Sequence, residues 1–396
     1  MFPEKERTDL YSAPRRTVRI LGTHGVPAAY GGFETAAENI ARYLVGNGWN
    51  VIVYCQTSGT GEIVEDEWQG IQRVIIPVNL PGWRGTSRFD WLSIAHACKF
   101  RDICLTFGYN TGIYNLRQRL GGIPNIINMD GIEWSRKRWG LAKQLILYVN
   151  ERFAALFGNH LIADHPEIEV YLRTRASRTK ISTITYGADP ITDAQVEPLR
   201  ALDLEPGRYM TLIARPLPEN NIAEIVEGFS AEERGCKLAV LGKLNPEKDE
   251  YHKKVMALAS TEVIFPGPIF HSDTVKALRF HGKAYLHGHT VGGTNPSLVE
   301  AMAAANPIIA HDNKYNRWVA GNGAVYFTTG EQLADRISQL LSDEALCRSL
   351  SENALSRFLD EFTWERVAAQ YEALLLEHAY ADLKVNATDG RQILTD

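Results

Sequence analysis

The chain has 396 residues, 45% of them hydrophobic, 22% charged and 10% aromatic. That mixture fills a core, and it excludes a disordered chain, a collagen-like repeat and a small disulfide-stapled module. The 42 Lys and Arg against 47 Asp and Glu leave a net charge of -5. No global basic field for gripping nucleic acid exists, although a local patch is allowed.

The charged N-terminus, MFPEKERTDLYSAPRR, lacks the apolar run of a secretory signal. No uncharged stretch is long enough for a transmembrane helix, so a cytoplasmic protein is expected, with the cytoplasmic face of a membrane left open. Thr17–Leu21 is a β-type run that enters a glycine-rich loop, Gly22 to Gly32, and a helical pattern follows from Phe33 to Gly46. A second strand at Val51–Cys55 completes a βαβ unit and predicts a parallel sheet covered by helices. Further strands are expected at 73–77, 103–106, 123–129, 160–163 and 181–184. After the polar stretch 187–207 a second series reads at 209–214, 237–241, 262–265, 283–287, 307–310 and 323–327. A last helix is expected at 364–377, and a loose polar tail from Asp382. The expectation is an α/β protein of two Rossmann-like βαβ domains whose strand C-terminal ends meet around a central cleft. The boundaries are 15–188 and 207–362, followed by a C-terminal helix at 363–380.

The five cysteines, 55, 98, 104, 236 and 347, are scattered without metal-ligand spacing, so free thiols are expected and neither zinc nor a disulfide framework. His287 and His289 are read as facing opposite sides of a strand, and no structural metal is predicted.

Four loops carry chemistry. In GTHGVPAAYGGFET the glycines at 22, 25, 31 and 32 let backbone approach a ligand, or simply permit a tight turn. The loop lacks the G-x-G-x-x-G dinucleotide fingerprint, and no P-loop motif occurs. In HGHTVGGTNPSLVEA a strand runs into Gly293, then Thr294 or Asn295 caps a helix that starts at Pro296. The N–H groups there, with Ser297, suit a phosphate, and Glu300 one turn on suits ribose hydroxyls. Arg215 follows the first strand of the second series and can grip a diphosphate bidentately. In NMDGIEW, Asp130 is either a base or orienting group for a sugar hydroxyl, or a helix cap. Behind it Trp134, Arg136, Lys137, Arg138 and Trp139 mix charge with indoles, which fits either an anionic lipid surface or a solvated helix face.

These strings resemble the retaining GT-B glycosyltransferases of family 4. ILGTHGVPAAYGGFETAAENIARYL, NMDGIEWSRKRW, ITYGAD and HGHTVGGTNPSLVEAM are similar to the branch with a DUF1972, rhamnosyltransferase-like N-terminal domain. The resemblance spans roughly 17–378. It implies transfer of a sugar from a nucleoside diphosphate donor to a hydroxyl of a lipid-diphosphate-linked saccharide, without cofactor or obligatory metal. Rhamnose from dTDP-rhamnose is the expected donor, and bacterial surface polysaccharide synthesis at the inner membrane the expected setting. It also implies that Glu300 binds ribose, that Arg215 binds diphosphate and that Gly293 to Ser297 form the phosphate loop. Gly31 and Gly32 then approach donor and acceptor, Gly267 lines the nucleobase, and the helix from Trp364 crosses back to the first domain. Two positions depart from the pattern: Gly292 stands where the first Glu of E-x7-E belongs, and Asn220 where a Lys belongs. Lys243 is the expected substitute for that Lys. Asp130 and Asp164 are the candidate catalytic carboxylates, and Trp134, Arg136, Lys137 and Arg138 the candidate acceptor or membrane contacts. Two rivals share the donor site, a sugar-nucleotide epimerase and a non-catalytic sugar-nucleotide sensor.

Overall fold

The computed structural model describes residues 16–29 and 31–389, with backbone alone at 380–389. Tyr30, the charged leader through Arg15 and the tail beyond Asp389 lie outside the described residues. The chain folds as two compact units. One holds the N-terminal residues to Met129, Gly140–Leu161 and the chain from Tyr371, and the other Asp130–Trp139 and Ile162–Gln370. The compact units therefore do not coincide with the two halves of the sequence. Residues 130–139 and 162–188 cluster with the second because their side chains bond there, as described below.

The first sheet has eight strands in the order β3-β4-β2-β1-β5-β6-β7-β8. These are β1 Thr17–Leu21, β2 Asn50–Ser58, β3 Val64–Trp68, β4 Ile71–Val78, β5 Ile103–Phe107, β6 Asn125–Asn128, β7 His160–Ala163 and β8 Ile181–Thr183. The central strands are apolar because helices cover both faces; Val18, Ile20, Val51, Val53 and Leu105 are fully buried. Strand β3 (VEDEW) was not expected, since its charged run carries no apolar period. It pairs antiparallel at the sheet edge with β4, where a two-pronged Arg73–Asp66 bridge holds it at 2.7 and 2.5 Å. Helix α1, Gly32–Gly46, buries Ala36, Ala37, Ile40, Ala41 and Leu44, which is the 3–4 spacing of an amphipathic helix. Helices α2 (Gly82–Ala97), α3 (Asn115–Leu120) and α4 (Leu141–Phe157) complete this unit.

The second sheet has six strands in the order β11-β10-β9-β12-β13-β14. They are β9 Tyr209–Ile213, β10 Lys237–Leu241, β11 Val263–Gly267, β12 Ala284–His287, β13 Ile308–His311 and β14 Ala324–Phe327. All its pairings are parallel, and the order reverses at β9, which lies between β10 and β12. Ligand loops in such sheets gather at that switch point. The helix Pro296–Ala303 buries Leu298, Val299, Ala301, Met302 and Ala303 almost completely, while Pro296, Ser297 and Glu300 keep some access to solvent.

The last helix runs from Trp364 to Asp389, longer than expected, so the predicted loose tail is helical as far as Asp389. Its start is pinned in the second unit, where Ala188 and Trp364 exchange a backbone bond at 3.1 Å. From Tyr371 it belongs to the first unit. There Asn128 donates to the Tyr371 hydroxyl at 2.7 Å, and Trp49 and Asn47 donate to Glu372 at 2.9 and 2.7 Å. All five cysteines are free thiols, four of them buried.

Candidate active site

The glycine loop of the first unit is held by its own helix. Glu34 accepts from the His24 N–H at 2.9 Å and Glu38 from Ala28 at 2.6 Å. A Cβ at Gly22 would lie 2.1 Å from the Phe107 carbonyl, and one at Gly25 2.5 Å from the Cys55 sulfur. Packing therefore requires glycine at both positions, which is the tight-turn reading of the loop. Gly31, at φ +99°, precedes α1, which begins at Gly32.

The other candidates lie in the second unit. Arg215 leaves β9, Lys243 leaves β10 and Gly267 ends β11, so adjacent strands deliver them to one edge of the sheet. Arg215 is exposed, and its carbonyl accepts from the Asn220 side chain at 2.7 Å. Asn220 is buried; a Lys there would have no such role, so the departure from the family pattern has a structural use. Lys243 is also exposed.

The loop after β12 is clamped from both sides. Thr290 bonds the Glu219 carbonyl through its N–H and hydroxyl, at 3.0 and 2.9 Å, and Asn313 and Asn316 donate to the His289 carbonyl. Asn295 caps the helix as expected, its Oδ1 accepting from the Ser297 N–H at 3.1 Å, with Pro296 in the first turn. The helix start is nonetheless not a free anion site. The Thr294 N–H donates to Asp164 Oδ2 at 3.1 Å, and the Thr294 hydroxyl donates to the Asp164 carbonyl. The Ser297 hydroxyl joins Asn295 and Tyr285. The Thr294 and Ser297 N–H groups are thus committed to side chains already, which corrects the picture of both as open.

Asp164 is the residue whose position the sequence placed least well. It was expected only as a candidate catalytic carboxylate, and it sits against Gly293 and Thr294. A Cβ on Gly293 would fall 2.0 Å from Asp164 Oδ1, so glycine is what lets the carboxylate reach the loop. Burial, followed by the Asp130 charge, pushes Asp164 up to about 7. Its Oδ1 is buried without a partner. Asp130 is raised too, by burial, against the Gly131 N–H and the Arg136 and Arg215 charges. It adopts φ +54°, an uncommon conformation for a non-glycine residue, and caps no helix.

Glu300 does not face its surroundings alone, because buried Arg279 forms an ion pair with it. Arg279 could not be paired with it by reading one sequence. The segment after Asp130 is a single 3-10 turn, Glu133–Ser135, and not a helix face. Arg136 bridges Glu133 at 2.6 Å and Glu219 at 2.8 Å, and Arg138 also pairs with Glu133. Trp134 donates to the Tyr171 hydroxyl at 2.8 Å. Of Trp134, Arg136, Lys137 and Arg138 only Lys137 is exposed, so both readings of a free basic patch are corrected. His287 and His289 stack at 4.5 Å, because side chains two apart share a face; their reading as opposed is also corrected. Burial pushes His289 down to about 3, with Arg215 and Arg136 adding to the effect, and its Nδ1 is buried without a partner. Among the described residues no group of three or more His, Cys, Asp or Glu is placed to hold a metal.

A parallel sheet whose order reverses at β9, with a clamped loop and helix start after the adjacent β12, is a half of Rossmann type. In structure the whole chain is similar to GT-B glycosyltransferases. A sucrose-phosphate synthase from Thermosynechococcus elongatus matches with a TM-score of 0.78 at 17% identity, over 93% of this chain and 100% of that one. Anabaena HepE in complex with UDP and glucose matches at 0.72 and 13%, over 92% and 100%. A UDP-forming α,α-trehalose-phosphate synthase from Burkholderia xenovorans matches at 0.70 and 10%, over 91% and 100%. No curated protein matches the chain in sequence. Residues 15–189 match the domain of unknown function DUF1972, and 202–357 match the glycosyl transferases group 1. Residues 202–357 thus carry the domain of the group 1 glycosyltransferases, and residues 15–189 a DUF1972 domain.

Two outcomes follow from the Asp164 contact. Gly293→Ala costs about 1–3 kcal/mol by overpacking, and adding Asp164→Ala recovers most of it in chemical denaturation. Asp164 binds its proton more tightly folded than unfolded, so its contribution falls as pH rises from about 4 to about 7. Asp164→Asn removes that slope, worth up to roughly 4 kcal/mol across the window, and denaturant titrations at several pH values read it.

Proposed function

We propose that the chain moves a sugar from a nucleoside diphosphate donor to a hydroxyl of a lipid-linked saccharide, with retention of configuration and no metal. One observation carries the reading: exposed Arg215 stands on the same sheet edge as the clamped loop 288–295, beside two carboxylates held up by burial. Arg215 and Lys243 supply the positive charge that a departing diphosphate needs. The helix start at Thr294 supplies more once the diphosphate displaces Asp164 from the Thr294 N–H. Glu300, oriented by Arg279, accepts from ribose hydroxyls, and Gly267 with no side chain leaves room for a base. Asp130 handles the acceptor hydroxyl or the positive charge developing on the sugar, and Asp164 the sugar's own hydroxyls, in place of the Glu that Gly292 replaces.

Rhamnose from dTDP-rhamnose is the donor we favour, on the resemblance of the glycine loops to that branch. The HepE structure is a complex with UDP and the trehalose-phosphate synthase is UDP-forming, which makes a uridine donor the natural comparison. The setting we propose is surface polysaccharide synthesis on the cytoplasmic side of a bacterial membrane.

A thermal-shift panel of UDP-, GDP- and dTDP-sugars names the donor class, because a ligand at 100 times its Kd stabilises by about 2.7 kcal/mol. No shift with any of them overturns the reading. With the donor so identified, Arg215→Ala loses about 3–4 kcal/mol of transition-state stabilisation, roughly a hundred- to thousandfold in kcat. Asp130→Asn abolishes transfer while the thermal shift with donor persists. Normal turnover in that variant removes Asp130 from the mechanism. Donor incubated alone separates transfer from epimerisation, since only the latter yields an isomerised sugar nucleotide.

A further inference from the structure

Among the described residues of the first unit, α4 carries five exposed large aliphatic side chains. Leu141 is 85% exposed, Leu145 63%, Ile146 58% and Leu156 64%, with Val149 beside them. Positions 141, 145, 149 and 156 follow the 3.6-residue period, so they form one stripe along the helix. Their neighbours in sequence, Leu147, Glu151, Ala154 and Ala155, are buried, which fixes the stripe as the outward face. Monomeric soluble proteins rarely expose so many contiguous large aliphatic side chains without a partner for them.

The surface continues onto the elements packed beside α4. The Ile113 N–H donates to the Asn150 side chain at 3.1 Å, and the Gly112 Cα approaches the Asn150 carbonyl so closely that a Cβ would lie 2.2 Å from it. Ile113, Leu116 and Leu120 of that stretch are exposed. Next to it α2 is tied on by a 2.8 Å bond between Ser87 and Tyr114 and by Trp91 against Tyr114. It adds Trp83, itself largely exposed.

Charge on these elements has one sign. Arg84, Arg88, Arg117, Arg119 and Arg152 are exposed. Of the two carboxylates, Glu151 is buried and Asp90 accepts from Thr111 at 2.8 Å. Several of the cations lie along aromatic rings: Arg84 over Trp83, Arg117 over Trp91, and Arg152 over Tyr148. Aliphatic side chains, indoles and unopposed cations together are what an anionic lipid interface binds, the chains entering the acyl boundary and the cations meeting headgroups. No helix among the described residues is long and apolar enough to cross a membrane, so such attachment would be peripheral.

We infer that the face made by α4, the 112–120 stretch and the start of α2 docks on an anionic lipid bilayer. This relocates the lipid contact from residues 134–139, whose arginines are paired internally, to a surface about which the donor site has nothing to say. It does not rest on the transfer reaction.

Co-sedimentation of the full chain with vesicles, without donor or acceptor, tests it. Vesicles of phosphatidylcholine with about a third phosphatidylglycerol bind the protein, and pure phosphatidylcholine vesicles bind it far less. The exposed-site variant Leu145→Gln/Ile146→Gln and the charge variant Arg119→Glu/Arg152→Glu each lose roughly tenfold or more in partition coefficient. Unchanged thermal melting of both variants keeps the comparison clean. Failure of the native chain to bind anionic vesicles overturns the inference, as does undiminished binding by both variants. A concentration-dependent dimer in sedimentation equilibrium, dissolved by Leu145→Gln/Ile146→Gln in the absence of lipid, overturns it in favour of a second copy of the chain.

Discussion

The contact between Asp164 and the Gly293–Thr294 backbone constrains more of the second unit than any other single interaction. It requires glycine at 293, because the carboxylate occupies the space a Cβ would take. It consumes a backbone N–H at the start of the helix Pro296–Ala303, where the helix dipole would otherwise attract an outside anion. It also brings the chain after β7 onto the loop after β12, which is why residues 162–188 cluster with the second sheet. An aspartate held near neutrality by burial and by Asp130 is a comparatively weak occupant of that position. In the reaction proposed above, the donor's diphosphate, doubly anionic, is the stronger occupant that displaces it. Until then the Asp164 carboxylate keeps the Thr294 N–H satisfied, and that buried N–H is not left orphaned.

Much of the architecture was legible from the sequence for a simple reason. Doubly covered parallel strands are apolar throughout, and they end in glycine and proline loops, so β1, β2, β5 and most strands of the second sheet stand out as short hydrophobic runs. Strand β3 did not, since an edge strand facing solvent can be VEDEW and still pair. The Asn295 cap and Pro296 were equally legible, because capping is a local property of a few adjacent residues. What could not be read was every relation spanning a long separation: Asp164 with Thr294, Arg136 with Glu219, Arg279 with Glu300. One sequence contains the partners of these bonds but not their pairing. Asn220 shows the same limit from the other side. As a missing lysine it looks like a loss, and only its bond to the Arg215 carbonyl reveals that it shapes the loop bearing the remaining cation.

Charge shows most plainly how composition and arrangement differ. The basic string at 136–138 draws the eye, yet Glu133 and Glu219 neutralise Arg136, and Glu133 also takes Arg138. These bridges are half-buried, where a lone charge would be costly, so the arginines belong to the internal frame of the second unit. The cations on α2, the 112–120 stretch and α4 are spread too thinly to form a motif. They become a patch only because the fold places three elements side by side and withdraws their carboxylates. A net charge of -5 sums over both arrangements and distinguishes neither. What separates a structural arginine from a docking one is whether a carboxylate is within reach, and that is a property of the folded surface.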